Sequence, residues 1–354
     1  MSYAPVSVLV LGVGSHVSQG IVKALGKSTL KTRVTGTCIS PQSEFLYFVD
    51  RATIQPRIED GTAAYLDWLV KVCRDEAIQI IMTGIEPAIR LLAVNADEIR
   101  RATGAIVIAA PPAILDIAQD KLATCRWLEN TGFSFPPYHA WTDETAWREF
   151  TARAGFPIIA KPLHGGGSRG LHTLRTATDI ALVPNPETYV FQKHIGSADA
   201  EYTVGCFRSP ITGLTDVIVM RRDLSHGFTY KAEIVEHPEI AAECARIVET
   251  LGITGPCNLQ LRIHENRSCV FEINARFSGT TPIRAHFGFN DVEMTIRHFL
   301  HGETARLPHI TQGIAFRYWN EAYIEPAAHT ALVADKTLVP SEFSPSATDS
   351  FGMR

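Results

Sequence analysis

Along the N-terminal third of the chain, short apolar runs alternate with stretches in which apolar side chains recur every three or four positions. Val6–Leu11 is one such run, and after Gly12 and Gly14 the side chains of Val17, Ile21, Val22 and Leu25 fall on one helical face. The alternation continues through a strand over residues 34–39, a helix over 65–73, a strand over 78–82, a helix over 88–99 and a strand over 106–109. Repeated βα units predict a doubly wound parallel sheet, α/β in class, over residues 1–112. Its strand ends near residues 12–15 and 83–86 are expected to face a ligand cleft.

Pro111 and Pro112 end that pattern. Helices follow over 114–130 and 144–154, with Gly132 and Gly155 just beyond them as C-terminal caps. Over residues 157–174 and 188–220 the period changes to strand alternation broken by turns, the pattern of antiparallel sheet. An amphipathic helix over 239–251 precedes a hairpin of residues 257–264 and 269–274, turning at Asn266, and residues 313–318 read as one more strand. The segment 321–354 reads as a polar, proline-containing tail that frays. No internal repeat is visible.

With 354 residues, 45% of them hydrophobic, the chain can bury the cores of two or three domains. A net charge of -4 with scattered Lys and Arg gives no electrostatic reason to expect nucleic acid or an anionic membrane. Seven cysteines, odd in number and never in a CxxC pair, signal neither a disulfide framework nor a zinc site and fit a reducing cytoplasm. The N-terminus lacks the basic segment of a signal peptide, and no apolar run approaches the roughly 18 residues of a membrane span. Any anion must therefore be caught by a local feature.

The most informative stretch runs over residues 158–171, with Lys161 on a strand entering Gly165, Gly166, Gly167, Ser168, Arg169 and Gly170. Glycines let backbone N–H groups turn toward an anion, and the lysine adds a point charge for phosphates. The lysine precedes the glycines and no helix follows, which excludes a Walker loop. A flap between two antiparallel strands, able to close over a nucleotide, is the expectation.

In the second hairpin Asn258, Gln260 and Arg262 share one face, and on its partner strand Glu272, Asn274 and Arg276 oppose Phe271 and Ile273. Gln260, Glu272 and Asn274 together make an oxygen-rich site for a hard cation that bridges to phosphates. They meet across the strands only if paired positions sum to an even number, as with a three-residue turn.

With both features in this order, the chain resembles the ATP-grasp superfamily, in its carbamoyl phosphate synthetase and biotin carboxylase branch, over roughly residues 1–300. The resemblance implies a Rossmann-like domain over 1–112, a small grasp subdomain with the flap over 113–190, a second subdomain with the metal site over 191–320, and the tail. It implies ATP and Mg²⁺ as cofactors, with Mn²⁺ as the alternative metal. Lys121, after Asp120 at a helix head, and Lys161 match the family's two nucleotide lysines. Gln192, Lys193 and Ile195 match the hinge whose backbone reads adenine, and Glu201 the carboxylate that holds the ribose. Gln260, Glu272 and Asn274 match the metal and phosphate ligands, and Arg276 the arginine at the reacting acyl phosphate, with Lys231 as a third cation. Ser278, Gly279 and Thr280 are expected to line the acceptor pocket, with Ser15 and Glu86 reaching in from the parallel sheet.

The implied reaction is phosphorylation of a small-molecule carboxylate by ATP, followed by attack of an amine on the acyl phosphate. A carboxylate kinase and a carbamoyl-phosphate-synthase-like enzyme are the alternatives within the superfamily, and a non-catalytic nucleotide module lies further off. An NAD-dependent oxidoreductase would need a third glycine where Val17 stands. A homodimer is compatible with all of these.

Overall fold

A computed structural model of the chain describes residues 4–197, 200–303 and 309–343. The first domain runs β1 (Val6–Leu11), α1 (His16–Leu25), β2 (Thr32–Cys38), β3 (Arg51–Ile54), α2 (Thr62–Asp75), β4 (Ile80–Thr83), α3 (Glu86–Thr103) and β5 (Ile106–Val107). These five strands are parallel, in the order β3-β2-β1-β4-β5. The order reverses between β1 and β4, so the loops after these two strands open into one crevice. Val8, Val10, Ile80 and Met82 are fully buried, as strands covered by helices on both faces must be.

Residues 114–130 form two helices rather than one, α4 (Pro112–Ala118) and α5 (Lys121–Asn130). Asp120 causes the break: its side chain accepts from the N–H groups of Leu122 and Ala123, capping α5 and placing Lys121 at its first turn. The next unit comprises β6 (Tyr138–Ala140), α6 (Glu144–Ala154), β7 (Ile158–Pro162), β8 (His172–Leu174) and β9 (Tyr189–Lys193), a four-stranded sheet ordered β6-β9-β7-β8. Its core is aromatic, with Trp147, Phe150 and Phe191 buried.

The third unit contains β10 (Glu201–Arg208), β11 (Thr215–Ser225), β12 (Phe228–Ile234), α7 (Pro238–Leu251), β13 (Gly255–His264), β14 (Arg267–Asn274), α8 (Thr281–His286), α9 (Asp291–Thr295) and β15 (Ile314–Phe316). Its six strands are antiparallel in the order β14-β13-β10-β11-β12-β15. Helix α7 covers one face with Ile240, Cys244, Ile247 and Val248.

The expected fraying tail is a correction where it is described. Residues 326–338 form α10 (Pro326–Asp335) and β16 (Thr337–Leu338), and β16 pairs antiparallel with β3 at the edge of the first sheet. Ala328, Leu332 and Leu338 are buried in that domain's core, so a few apolar residues among polar ones suffice to dock the segment. Residues 344–354, the end of that tail, lie outside the described residues. Among the described residues no helix is long and apolar enough to cross a membrane. All seven cysteines are free and buried.

Candidate active site

A cleft of about 640 Å³ separates the second and third units, roofed by the loop between β7 and β8. Lys121, Lys161, Gly165, Gly166, Gly167, Ser168, Gln192, Lys193, Ile195, Glu201, Gln260 and Glu272 all line it. Gly165 and Gly167 have positive φ, as does Ser168 at 57°, so the loop needs the conformational freedom that its composition supplies. Its tip rests on the β11–β12 turn: a Cβ on Gly227, itself at φ 80°, would sit 2.6 Å from the Gly167 carbonyl oxygen. Lys121 Nζ donates to the Gly165 carbonyl at 2.7 Å, tying the start of α5 to the flap.

Lys161 is half-buried beneath this flap with its ammonium 4.4 Å from the centre of the Phe271 ring. Burial pulls its pKa down to about 8, opposed by the Glu272 carboxylate. The folded value lies below the unfolded one, so the unliganded fold gains stability as pH rises from about 8 to 10.5. An anionic ligand reverses this preference for the neutral amine. If the cleft takes MgATP, as the resemblance implies, its dissociation constant is expected to rise above pH 8 by up to about tenfold per pH unit. Titrations between pH 8 and 10 check this, and Lys161→Arg, whose guanidinium stays charged, is expected to flatten the profile. An unchanged slope in that variant would remove Lys161 from the phosphate site.

Phe271 was expected on the face opposite Glu272, Asn274 and Arg276, and here the structure differs. Glu265 and Asn266 both have positive φ and form a two-residue turn, so His264 pairs with Arg267 and Ile263 with Ser268. That odd register would put Gln260 and Glu272 out of step. A shift between Gln260 and Leu261 inserts Phe271 as a bulge, after which Gln260 faces Glu272 and Asn258 faces Asn274. The expected even register is thus reached by a bulge instead of a three-residue turn, and the bulged ring is delivered to the cleft under Lys161.

The strand pairing also surrounds Glu201, which lines the cleft, with arginines. Its carboxylate is flanked by an arginine on each neighbouring strand, since Tyr202 pairs with Arg221 on one side and Glu201 with Arg262 on the other. Arg222 donates through Nε and Nη2 to Oε1 at 3.0 and 2.7 Å. Arg262 donates through Nε and Nη2 to Oε2 at 3.0 and 2.7 Å. Burial resists ionisation of Glu201, but the two guanidiniums prevail and hold its carboxyl below the ordinary range. Four charge-assisted bonds fill the acceptor positions a ribose would use. Nη2 of Arg222 also reaches Gln260 Oε1 at 2.7 Å, so a guanidinium stands where that amide oxygen was expected to meet a metal.

Arg222 and Arg262 are the residues sequence reasoning passed over as site residues. Arg262 lay on the polar hairpin face. Arg221 and Arg222 are adjacent, and alternation sends one inward without saying which.

At the hinge, the Lys193 and His194 amides donate to the Pro137 and Pro157 carbonyls at 2.8 and 3.0 Å, and Ile195 O accepts from Arg262 at 3.2 Å. These two amides and the Ile195 carbonyl are thus paired within the fold, and the Ile195 N–H makes no hydrogen bond among the described residues. The Lys193 ammonium is tied to Phe156 O at 2.9 Å. Gln192 is buried, donates to Cys125 Sγ at 3.0 Å, and its Oε1 has no partner among the described residues.

Lys231 pairs directly with Asp223 on β11, one residue out of phase with Arg222, so it points to the opposite face of the sheet. Its ammonium lies 3.7 Å from Asp223. The expected third cation is therefore turned away from the cleft.

Beyond β14, Asn274 Nδ2 donates to Glu272 Oε1 at 2.9 Å. Arg276 reaches back to the first domain, Nη2 donating to Glu86 Oε1 at 2.7 Å and Nη1 to Phe277 O. Ser278 and Thr280 do not line an open pocket. Both are buried and donate to Asn258 Oδ1 within a network centred on Arg284. The Ser15 side chain caps α1 through the Ser18 amide, and the Gly279 carbonyl accepts from Arg317. Next to it, His16 has its pKa lowered to about 4 by burial and by Arg317, Arg276 and Arg169, so it is neutral at pH 7.

Two family descriptions match the chain: "PylC-like, N-terminal domain" over residues 8–108 and "ATP-grasp in the biosynthetic pathway with Ter operon" over residues 196–322. The carbamoyl phosphate synthase large chain of Rubrobacter xylanophilus is 24% identical over 318 residues, which is 78% of this chain and 28% of that one. The chain thus spans under a third of the length of such relatives. The N5-carboxyaminoimidazole synthetase of Staphylococcus aureus, solved with ADP, superposes with a TM-score of 0.70 over 95% of this chain and 87% of its own at 13% identity. The L-amino acid ligase of Bacillus licheniformis does so with 0.62 over 84% and 75% at 17% identity. The chain has the ATP-grasp fold, with a parallel-sheet domain followed by the two antiparallel grasp units.

Proposed function

We propose that the chain is an ATP-dependent carboxylate-amine ligase that works through an acyl phosphate and releases ADP and phosphate. The observation that carries this reading is Lys161, desolvated beneath a glycine flap, stacked on Phe271 and beside Glu272 in a cleft of nucleotide size. A half-buried amine with lowered pKa in a cleft marks a group suited to an anion.

Glu272 and Asn274 supply the donors for a hard cation: Asn274 occupies one carboxylate oxygen, and the other accepts no hydrogen bond among the described residues. One carboxylate with an amide fits a single Mg²⁺, or Mn²⁺, that completes its shell with phosphates. Such an ion supplies charge neutralisation on the phosphate oxygens. A second ion at Gln260 does not fit, because Arg222 already brings positive charge there.

In the proposed reaction a carboxylate oxygen bonds to the γ-phosphorus as its bond to ADP breaks. The amine then attacks the acyl carbon, loses a proton, and phosphate leaves. Lys121 and Lys161 hold phosphates, Arg276 faces the acyl phosphate, and the flap excludes water that would hydrolyse it. The dinucleotide reading fails on packing, for Val17 is buried against Gly84 where the fingerprint needs a third glycine.

A phosphate-release screen with MgATP against paired carboxylates and amines tests the proposal. One pair is expected to stimulate release, and Glu272→Gln to lower it about 100-fold or more while ADP still binds. Absence of any stimulating pair, with nucleotide bound normally, would leave a binding module. Release that needs the carboxylate but not the amine would indicate the kinase.

A further inference from the structure

A second cationic site lies where the crevice of the parallel sheet meets the grasp unit. Phe316 pairs with Lys231 on the outer face of the sheet, so Arg317, the next residue, projects toward the crevice on the side of Arg222. There its guanidinium donates to the Gly279 carbonyl, a neutral acceptor. Burial alone moves its pKa, downward, with no carboxylate acting on it. Arg169 arrives from the flap and Arg276 from the end of β14, and both act on the same imidazole, His16. The only carboxylate paired with these three guanidiniums among the described residues is Glu86, held by Arg276. Among the described residues neither Arg169, exposed on the flap, nor the half-buried Arg317 has a carboxylate partner.

The geometry of the loop explains how Arg317 is held. A Cβ on Gly279 would meet the His16 ring at 2.8 Å, so the loop presses on His16 and fixes the carbonyl that orients the guanidinium. His16 is itself braced by the edge of Phe228, 4.9 Å away between ring centres. A half-buried guanidinium without a carboxylate is costly unless an anion completes it. Arg169 lines the nucleotide cleft as well, but the reacting carboxylate belongs beside Arg276 and the phosphates and cannot also serve Arg317.

We propose that the carboxylate substrate carries a second anionic group, a further carboxylate or a phosphate, bound by Arg317 and Arg169 beside His16. This rests on the ligase reading and adds the substrate class to it. Because Arg169 is part of the flap, the second anion also couples substrate binding to the closed roof.

The test is calorimetric titration of the full chain, with and without MgADP, using glutarate, 3-phosphoglycerate and, as monoanion, butyrate. Glutarate, a dianion, or 3-phosphoglycerate, which carries close to three charges, is expected to bind about 10- to 100-fold more tightly than butyrate, the worth of one charge-assisted contact. Preference for glutarate or for phosphoglycerate identifies the second group. Arg317→Gln is expected to reduce the dianion to the affinity of butyrate, with Arg317→Lys between. MgADP affinity equal to the parent's shows that the variant is folded. Should Arg317→Gln not fold, Arg169→Gln on the exposed flap carries the same expectation. Equal binding of monoanion and dianions by the parent, or a preference that survives the substitution, overturns the proposal. Dianion preference without MgADP binding would instead overturn the nucleotide reading and leave the anion site standing.

Discussion

Arg276→Ala is expected to reduce ADP-forming turnover by about 100- to 1000-fold, the usual loss when a preorganised donor to developing charge is removed. The Michaelis constant for ATP should change little, because Lys121 and Lys161 line the nucleotide cleft and Arg276 is not among its lining residues. Steady-state kinetics with the substrate pair found by phosphate release would measure both. A purely structural role makes a different prediction. The Arg276–Glu86 bridge, at 2.7 Å, is partly solvent-exposed, so its loss costs at most about 1 kcal/mol of stability. Glu86→Gln breaks the same bridge and leaves the guanidinium in place. If both variants lose turnover equally, Arg276 acts by joining domains. If only Arg276→Ala does, it acts on the reaction.

Asp291→Asn should destabilise the fold by about 3–5 kcal/mol, a large share of what a typical domain has. Arg284 and Asp291 are fully buried, with Nη2 to Oδ2 at 2.5 Å. Removing the carboxylate strands a guanidinium in the core. The same guanidinium donates to Asn258, Ser278, Thr280 and Thr281, the network that shapes the loop following Arg276. Urea denaturation would show a lower midpoint, and turnover is expected to fall with it as that loop loosens. A midpoint unchanged within about 0.5 kcal/mol would mean that the pair is dispensable, as a surface pair would be.

What the sequence by itself determined is local. The βα alternation of residues 6–109 set a parallel sheet because a covered strand must be apolar throughout and its helix apolar on one side. A lysine before a run of glycines set a flap between strands, and Glu272, Asn274 and Arg276 at every second position set a polar edge. Asp120 and Lys121 could be read at a helix head because an N-cap is a one-residue signal.

Tertiary structure decided everything that depends on register. The two-residue turn at Glu265 and Asn266 and the bulge at Phe271 place Gln260 opposite Glu272, and no periodicity announces a bulge. Pairing of β10 with two neighbours put Arg222 and Arg262 on Glu201, and the phase of β12 turned Lys231 away while that of β15 turned Arg317 inward. Residues 326–338 joined the first sheet through three buried side chains too sparse to form a pattern. Side chains alternate with period two, so a shift of one residue exchanges the face that meets a nucleotide for the face that meets water. That choice depends on which strands lie alongside, a property of the assembled sheet and not of any segment.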